Sequence, residues 1–245
     1  MNSITEKEVR WPHAVIGILW GLVYMASTVF IGGNAKRAVN DPVGLIKSIW
    51  ISHLVFIALP LFFLWVMRRS FPIGGFSREQ RRPWYRWWLG FFVLAVVFGL
   101  STGWHSKLGD YPGGLAVVGF WIIMMCLFVG VSEEFLFRGV IQTGLNNSRL
   151  GSWKVWRLRS GTLIAAAVFA SMHLFGYHAY RTMAGMSSRQ ALGIVVSQFV
   201  AALVLGLIFG QLYDRKRNIW GVVVLHNIVD GASYVVPLIV ALIRG

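Results

Sequence analysis

Glu133, Glu134 and Arg138 lie in the run VSEEFLFRGV (131–140), inside text apolar enough for a lipid bilayer. Near the bilayer centre each such charge costs several kcal/mol unless it is paired or hydrated. On a helix, residues four apart share a face while neighbours diverge by about 100°. The spacing therefore predicts that Arg138 pairs with Glu134, while Glu133 points elsewhere and keeps a carboxylate available for chemistry. Two further groups follow downstream. FASMH places Phe169 and His173 four apart, and HNIVD places His226 and Asp230 four apart. Asp230 is spaced to accept a hydrogen bond from an imidazole nitrogen of His226 and so fix its tautomer.

A carboxylate beside an imidazole can take a proton from water. A second histidine, oriented by a carboxylate, can donate a hydrogen bond to the oxyanion that forms on a scissile carbonyl. Alternatively, Glu133, His173 and His226 could bind a zinc ion that activates the water. These are the parts of a hydrolase, and the competing reading is a set of buried ion pairs that only pack helices together. Depth separates the two. His173 lies about 20 Å from the start of its span near Ser160, His226 about 10 Å from Ile219, and Glu133 about 20 Å before the span exit near Asn146. The depths overlap within the error of tilt and boundary, so Glu133, His173 and His226 are expected to line one cavity.

The elements that must position these groups are membrane helices. The chain has 245 residues, of which 56% are hydrophobic and 13% charged, with a mean hydropathy of +0.63. A soluble domain carries about twice that charge. Apolar stretches at 14–33, 44–67, 87–104, 114–145, 160–177, 190–213 and 219–243 match the roughly 20 residues that cross the hydrocarbon as a helix. The fold class is therefore all-α, a polytopic membrane helical bundle of about seven transmembrane helices. One of the two longest stretches is a candidate to break in two. No loop is long enough for a soluble domain, so 1–245 reads as a single integral membrane domain.

The net charge of +14 is distributed by side. Counting alternate loops, 15 Lys and Arg fall on one side and 6 on the other, the positive-inside pattern with the N-terminus in the cytoplasm. The basic run REQRRPWYRWW (78–88) mixes Arg with Trp, which suits an anchor on anionic lipid better than a nucleic-acid surface. The expected partners are the lipid bilayer and a membrane protein or peptide, with no nucleic acid. The single cysteine, Cys126, excludes an intramolecular disulfide and a cysteine-based metal cluster. Gly17/Gly21, Gly99/Gly103 and Ala202/Gly206/Gly210 have the small-xxx-small spacing of close helix packing, read here as packing within one chain. Pro60 reads as a tolerated kink, Lys47 as a snorkelling side chain, and His53 as a lone intramembrane histidine.

Glu-Glu-x-x-x-Arg, then Phe-x-x-x-His, then His-x-x-x-Asp on successive helices resembles the CAAX protease and bacteriocin-processing (Abi) family of intramembrane proteases, which includes the type II CAAX prenyl endopeptidases. The resemblance covers about 113–231, the expected protease core. It implies that Glu133 and His173 activate the catalytic water, that Glu134 and Arg138 support the site with Phe169 beside them, and that His226 with Asp230 stabilises the oxyanion. Family members are described as metalloproteases, yet the same residues fit a metal-free, glutamate-dependent mechanism, and no HExxH motif is present to mark a zinc site. The position of Asp230 favours the metal-free route, with zinc as the alternative cofactor.

Two departures bear on the substrate: Asp230 stands where the prenyl proteases have Asn, and seven spans are counted where the eukaryotic enzyme has eight. They disfavour a prenylated CAAX substrate, and leave peptide maturation, bacteriocin self-immunity and membrane-protein turnover as comparable candidates. Short length and short loops point to a prokaryotic plasma membrane. Two other functions compete with the endopeptidase: a catalytically silent immunity or scaffold protein of the same fold, and a transporter relaying protons through Glu133, His173 and His226. The transporter lacks detectable inverted halves.

Overall fold

The computed structural model describes residues 84–103, 122–148, 153–177 and 186–244, with isolated positions at 15–23, 54–65, 119–120, 151 and 181. The expected spans 14–33 and 44–67 fall largely outside the described residues, as do Lys47 and His53. The described residues are helical apart from one small hairpin. They divide between two compact units, Met1–Ile73 with Phe135–Arg217, and Gly74–Glu134 with Asn218–Gly245.

In the second unit, α1 (Tyr85–Gly103) packs along α6 (Ile219–Arg244), as does a shorter helical segment before Phe135. That segment begins as a π-helix over Met124–Phe128 and continues as α2 (Val129–Glu134). The Val129 N–H still reaches back five residues to the Met124 carbonyl. Glycine makes the helix contacts close. A Cβ at Gly99 would stand 2.7 Å from the Val236 Cβ, so the Gly99 face packs within the chain. A Cβ at Gly221 would overlap the buried Trp84 ring. The α6 helix opens with Asn218, whose Oδ1 accepts the Gly221 N–H at 3.0 Å, and carries Pro237 in its C-terminal half.

In the first unit, Phe135–Gln142 is π-helical and passes into α3 (Thr143–Asn146). Next come a hairpin of β1 (Lys154–Val155) with β2 (Leu158–Arg159), then α4 (Ser160–Met172) with a 3-10 turn His173–Phe175, and α5 (Ser188–Lys216). The hairpin pairs Lys154 with Arg159 and Val155 with Leu158, across a two-residue turn entered by Trp156 at φ 58°. It is an exception to the all-α expectation, in a loop whose sequence carries no glycine at the turn. The α5 helix starts with a capping box. Ser187 Oγ accepts the Gln190 N–H at 3.3 Å, and Gln190 Oε1 accepts the Ser187 N–H at 3.0 Å. It ends at Arg217, which takes the left-handed conformation and returns its N–H to the Tyr213 carbonyl at 2.8 Å.

The core of this unit joins Leu136, Phe137, Ile141 and Leu145 to Ala165, Phe169, Ala170 and Met172 of α4 and to Ala202 of α5. Phe137 and Phe169 meet edge to face at 5.1 Å. Small residues admit α5 to α4, since a Cβ at Gly206 would stand 3.2 Å from the Ala166 Cβ.

At one end of the three helices a polar group replaces the apolar core. Asp214 Oδ1 accepts from Asn146 Nδ2 at 2.9 Å, and its Oδ2 accepts from the Thr162 hydroxyl at 2.6 Å. Gln142 Nε2 donates to Thr162 Oγ1 at 3.2 Å and to the Gly210 carbonyl at 2.9 Å. Thr143 Oγ1 donates to the Arg138 carbonyl at 2.7 Å and stands 3.2 Å from the Tyr213 hydroxyl.

Two of the described helices, α5 and α6, are long and apolar enough to cross a membrane, and α1 and α4 are shorter apolar helices. The expected limits 190–213 and 219–243 fall within three residues of the observed ends. The long stretch expected at 114–145 changes winding where a break into two pieces was open. α6 runs without a break.

Candidate functional site

His226 sits on α6, seven residues in from Ile219, and is buried. Its ring is flanked by carboxylates on both sides. Nδ1 lies 2.7 Å from Glu134 Oε1, a charge-assisted hydrogen bond when the carboxylate is ionised. On the opposite edge, Nε2 lies 3.4 Å from Glu133 Oε2 and 3.3 Å from Asp230 Oδ2. The four side chains differ in access. The Glu134 side chain is 1% exposed and that of His226 6%, whereas those of Glu133 and Asp230 are 17% and 27% exposed. Glu133 and Asp230 are therefore the more accessible carboxylates of the cluster.

The α2 helix delivers the two glutamates, and its register is held by Asn227, the residue after His226. Asn227 Oδ1 accepts the Gly130 N–H at 2.9 Å, and its Nδ2 donates to the Leu127 carbonyl at 3.4 Å. These bonds fall where π winding gives way to α, so one side chain clips the junction that precedes Glu133. Glycine is needed at 130 because a Cβ there would collide with Asn227 Oδ1 and stand 2.9 Å from the Val223 carbonyl. Asn227 was not among the expected site residues. A polar amide next to a histidine in an apolar span is the signal that marks it.

The geometry corrects one expectation. Glu133 does not turn away from Glu134, and both carboxylates close on the same ring. Adjacent residues diverge by about 100° at the helix surface. Two glutamate side chains can still converge on an imidazole standing between them, one on each ring edge. Between Glu134 and Arg138 the winding passes from α to π, at Phe135. Arg138 is fully buried in the first unit, with its guanidinium carbon 5.7 Å from the centre of the Phe169 ring.

His173 and Phe169 also belong to the first unit. His173 begins the 3-10 turn after α4, its ring edge to face with Phe169 at 5.3 Å and its Nδ1 3.3 Å from the Phe169 carbonyl. The four-residue spacing thus puts the two rings together. Of the three groups expected in one cavity, the structure brings Glu133 and His226 together within the second unit, and His173 is described within the first.

Among the described residues, no three His, Cys, Asp or Glu side chains are arranged to hold a metal ion. The His226 cluster is instead a set of hydrogen-bonding acceptors around one ring. It can hold the imidazole in a fixed orientation, keep a proton on a chosen nitrogen, and offer the more exposed Glu133 carboxylate as a base.

Comparison with known proteins bears on the same segment. No curated protein and no solved structure gives a match to the chain. Residues 115–232, close to half the chain, match the family model described as type II CAAX prenyl endopeptidase Rce1-like. The matched segment contains Glu133, Glu134, His173, His226 and Asp230 and ends two residues after Asp230, so over it the chain is similar to that family.

Proposed function

We propose that the protein is an intramembrane endopeptidase that hydrolyses a peptide bond of a membrane-associated protein or peptide. The observation that carries this reading is the enclosure of the His226 ring by Glu133, Glu134 and Asp230 in an otherwise apolar helix pair. The family match supports a CAAX-type protease in general terms.

In the reaction, the Glu133 carboxylate takes a proton from water as the water oxygen bonds to the scissile carbonyl carbon. The carbonyl oxygen becomes an oxyanion and accepts a hydrogen bond from His226. When the C–N bond breaks, the proton held by Glu133 passes to the leaving amine. Glu134 and Asp230 keep the imidazole oriented through these steps. The motif resemblance alone assigns His173 a part in activating the water, and Arg138 supports the fold of its own segment. The positive-inside count favours an N-terminus in the cytoplasm, and the short length and short loops favour a prokaryotic cell, with the site reached from the cytoplasmic side. Peptide maturation, self-immunity and membrane-protein turnover are the substrate classes, with a prenylated CAAX protein disfavoured by Asp230.

The test is Glu133→Gln. Glutamine keeps the shape and the hydrogen bonding but cannot take a proton from water. Quantitative proteomics of membrane peptides identifies the substrate as a peptide lost from cells carrying the variant. Cleavage of that peptide by purified protein should then fall by about 10²–10⁴-fold with the fold unchanged. Near wild-type cleavage by Glu133→Gln would remove Glu133 as the general base, whereas no peptide cleaved by the wild-type protein would leave the silent scaffold as the better reading. Inhibition by a chelator, reversed by zinc, would replace the metal-free route with a metal-bound water.

A further inference from the structure

Away from the His226 cluster, the first unit carries a cationic cavity of about 370 Å³ between the β1–β2 hairpin and the last turns of α5. Lys154, Arg157 and Arg159 line it from the hairpin, and Arg215 lines it from the helix. One acidic side chain, Asp214, is also in the lining, and its two oxygens are taken up by Asn146 and Thr162. The charge offered to a ligand is therefore strongly positive. Arg215 is held in place when the Gln211 amide oxygen faces it, accepting from Nη2 at 3.0 Å and Nε at 3.1 Å.

The cavity lies at the ends of apolar helices, between Ser160 at the start of α4 and Lys216 at the end of α5. Two exposed tryptophans belong to this corner, Trp156 in the lining at 89% exposure and Trp153 just before the hairpin at 74%. Trp156 holds φ 58°, a left-handed conformation that non-glycine residues rarely adopt. Large exposed aromatic rings beside Lys and Arg are characteristic of the membrane–water boundary, where the ring meets the headgroup layer. Guanidinium groups match phosphate oxygens in pairs, and an anionic leaflet concentrates such phosphates at this level.

We propose that this cavity binds the phosphate of an anionic glycerophospholipid, with Lys154, Arg157, Arg159 and Arg215 on the phosphate and Trp153 and Trp156 set into the headgroup layer. None of these residues takes part in the hydrolytic reading, so the two stand or fall separately.

The full chain, purified in a neutral detergent, would be titrated with phosphatidylglycerol, with phosphatidylcholine and with inorganic phosphate, and bound lipid counted by native mass spectrometry. Phosphatidylglycerol should be retained in preference to phosphatidylcholine. Replacing Arg157 and Arg159 together by Gln should weaken that retention at least about tenfold, since each surface cation near a leaflet contributes about 1 kcal/mol. Arg215→Gln tests the helix side independently if the hairpin variant folds poorly. A third arm uses the wild-type protein alone. In salt of about 1 M the Debye length falls to about 3 Å, and the preference for phosphatidylglycerol should disappear. Equal retention of phosphatidylcholine, unchanged retention in both variants, or a salt-independent preference would overturn the proposal. Displacement of phosphatidylglycerol by an equal concentration of inorganic phosphate would overturn the lipid assignment and leave a site for free phosphate.

Discussion

Asp214 and His226 each centre a polar group, half-buried at Asp214 and buried at His226, and the two groups have opposite proportions. At Asp214 a single carboxylate receives neutral donors, the Asn146 amide and the Thr162 hydroxyl, with Gln142 bonded to Thr162 in turn. At His226 three carboxylates surround one ring with two nitrogens. The first arrangement matches charge to donors and suits a fastener between helices. The second has more acceptors than the ring has protons to give, which is a poor way to stabilise a fold and a good way to orient an imidazole while keeping a base beside it. Proportion of donors to acceptors, more than burial, separates the structural group from the chemical one.

The largest effect is expected at His226. His226→Ala removes the ring on which three carboxylates converge, and breaking a buried pair in this way costs about 3–5 kcal/mol. Unfolding in detergent should show that loss together with the loss of peptide cleavage. A stable Ala variant would mean that the ring does not hold the carboxylates. Next comes Asp214→Ala, which strands the Asn146 and Thr162 donors at about 1–3 kcal/mol. Cleavage per folded molecule should be unchanged, and a drop in turnover without loss of stability would erase the distinction between the two groups.

Asn227→Ala sharpens the comparison from the catalytic side. It removes the clip on Gly130 and should cost about 0.5–1.5 kcal/mol. Because the clip sets the register of Glu133 against His226, turnover per folded molecule should fall as well, read as a lower kcat in the cleavage assay. Unaltered kcat would make Asn227 a packing residue. The smallest effect belongs to Arg217, whose left-handed cap glycine would adopt without the Cβ cost. Arg217→Gly should change stability by no more than about 1 kcal/mol, in the stabilising direction, and leave cleavage alone.

How far the sequence reached depended on which structural rule each residue obeyed. α5 and α6 were legible because charged or turn-forming residues bound their apolar runs. His226 and Asp230 were legible as a pair because α6 winds as an ordinary α-helix, and the four-residue step carries through to a 3.3 Å contact. The contact of Glu134 with His226 was not, because it joins residues 92 apart in the sequence on different helices. All eight residues of the π stretch Phe135–Gln142 are buried, and the packing around them leaves no periodic mark in the sequence. The hairpin was equally hidden. Trp156 occupies a left-handed position without the Gly or Asn that normally announces one. The spans before residue 84 fall largely outside the described residues, so the count of seven is an expectation there.

The Asp214 fastener also orders events in time. Its bonds join residues 68 and 52 positions apart, whereas Gln142 and Thr162 are separated by only 20. A chain synthesised from its N-terminus delivers Asn146 and Thr162 well before Asp214 exists. Until α5 arrives, the Asn146 amide depends on water at the helix ends, because an unpartnered polar group in hydrocarbon costs several kcal/mol. Docking of α5 then exchanges that water for a carboxylate, late in assembly and over a long stretch of chain. Gln142 can meet Thr162 as soon as the earlier helices pair, so the same polar group is assembled in two steps, and its carboxylate comes last.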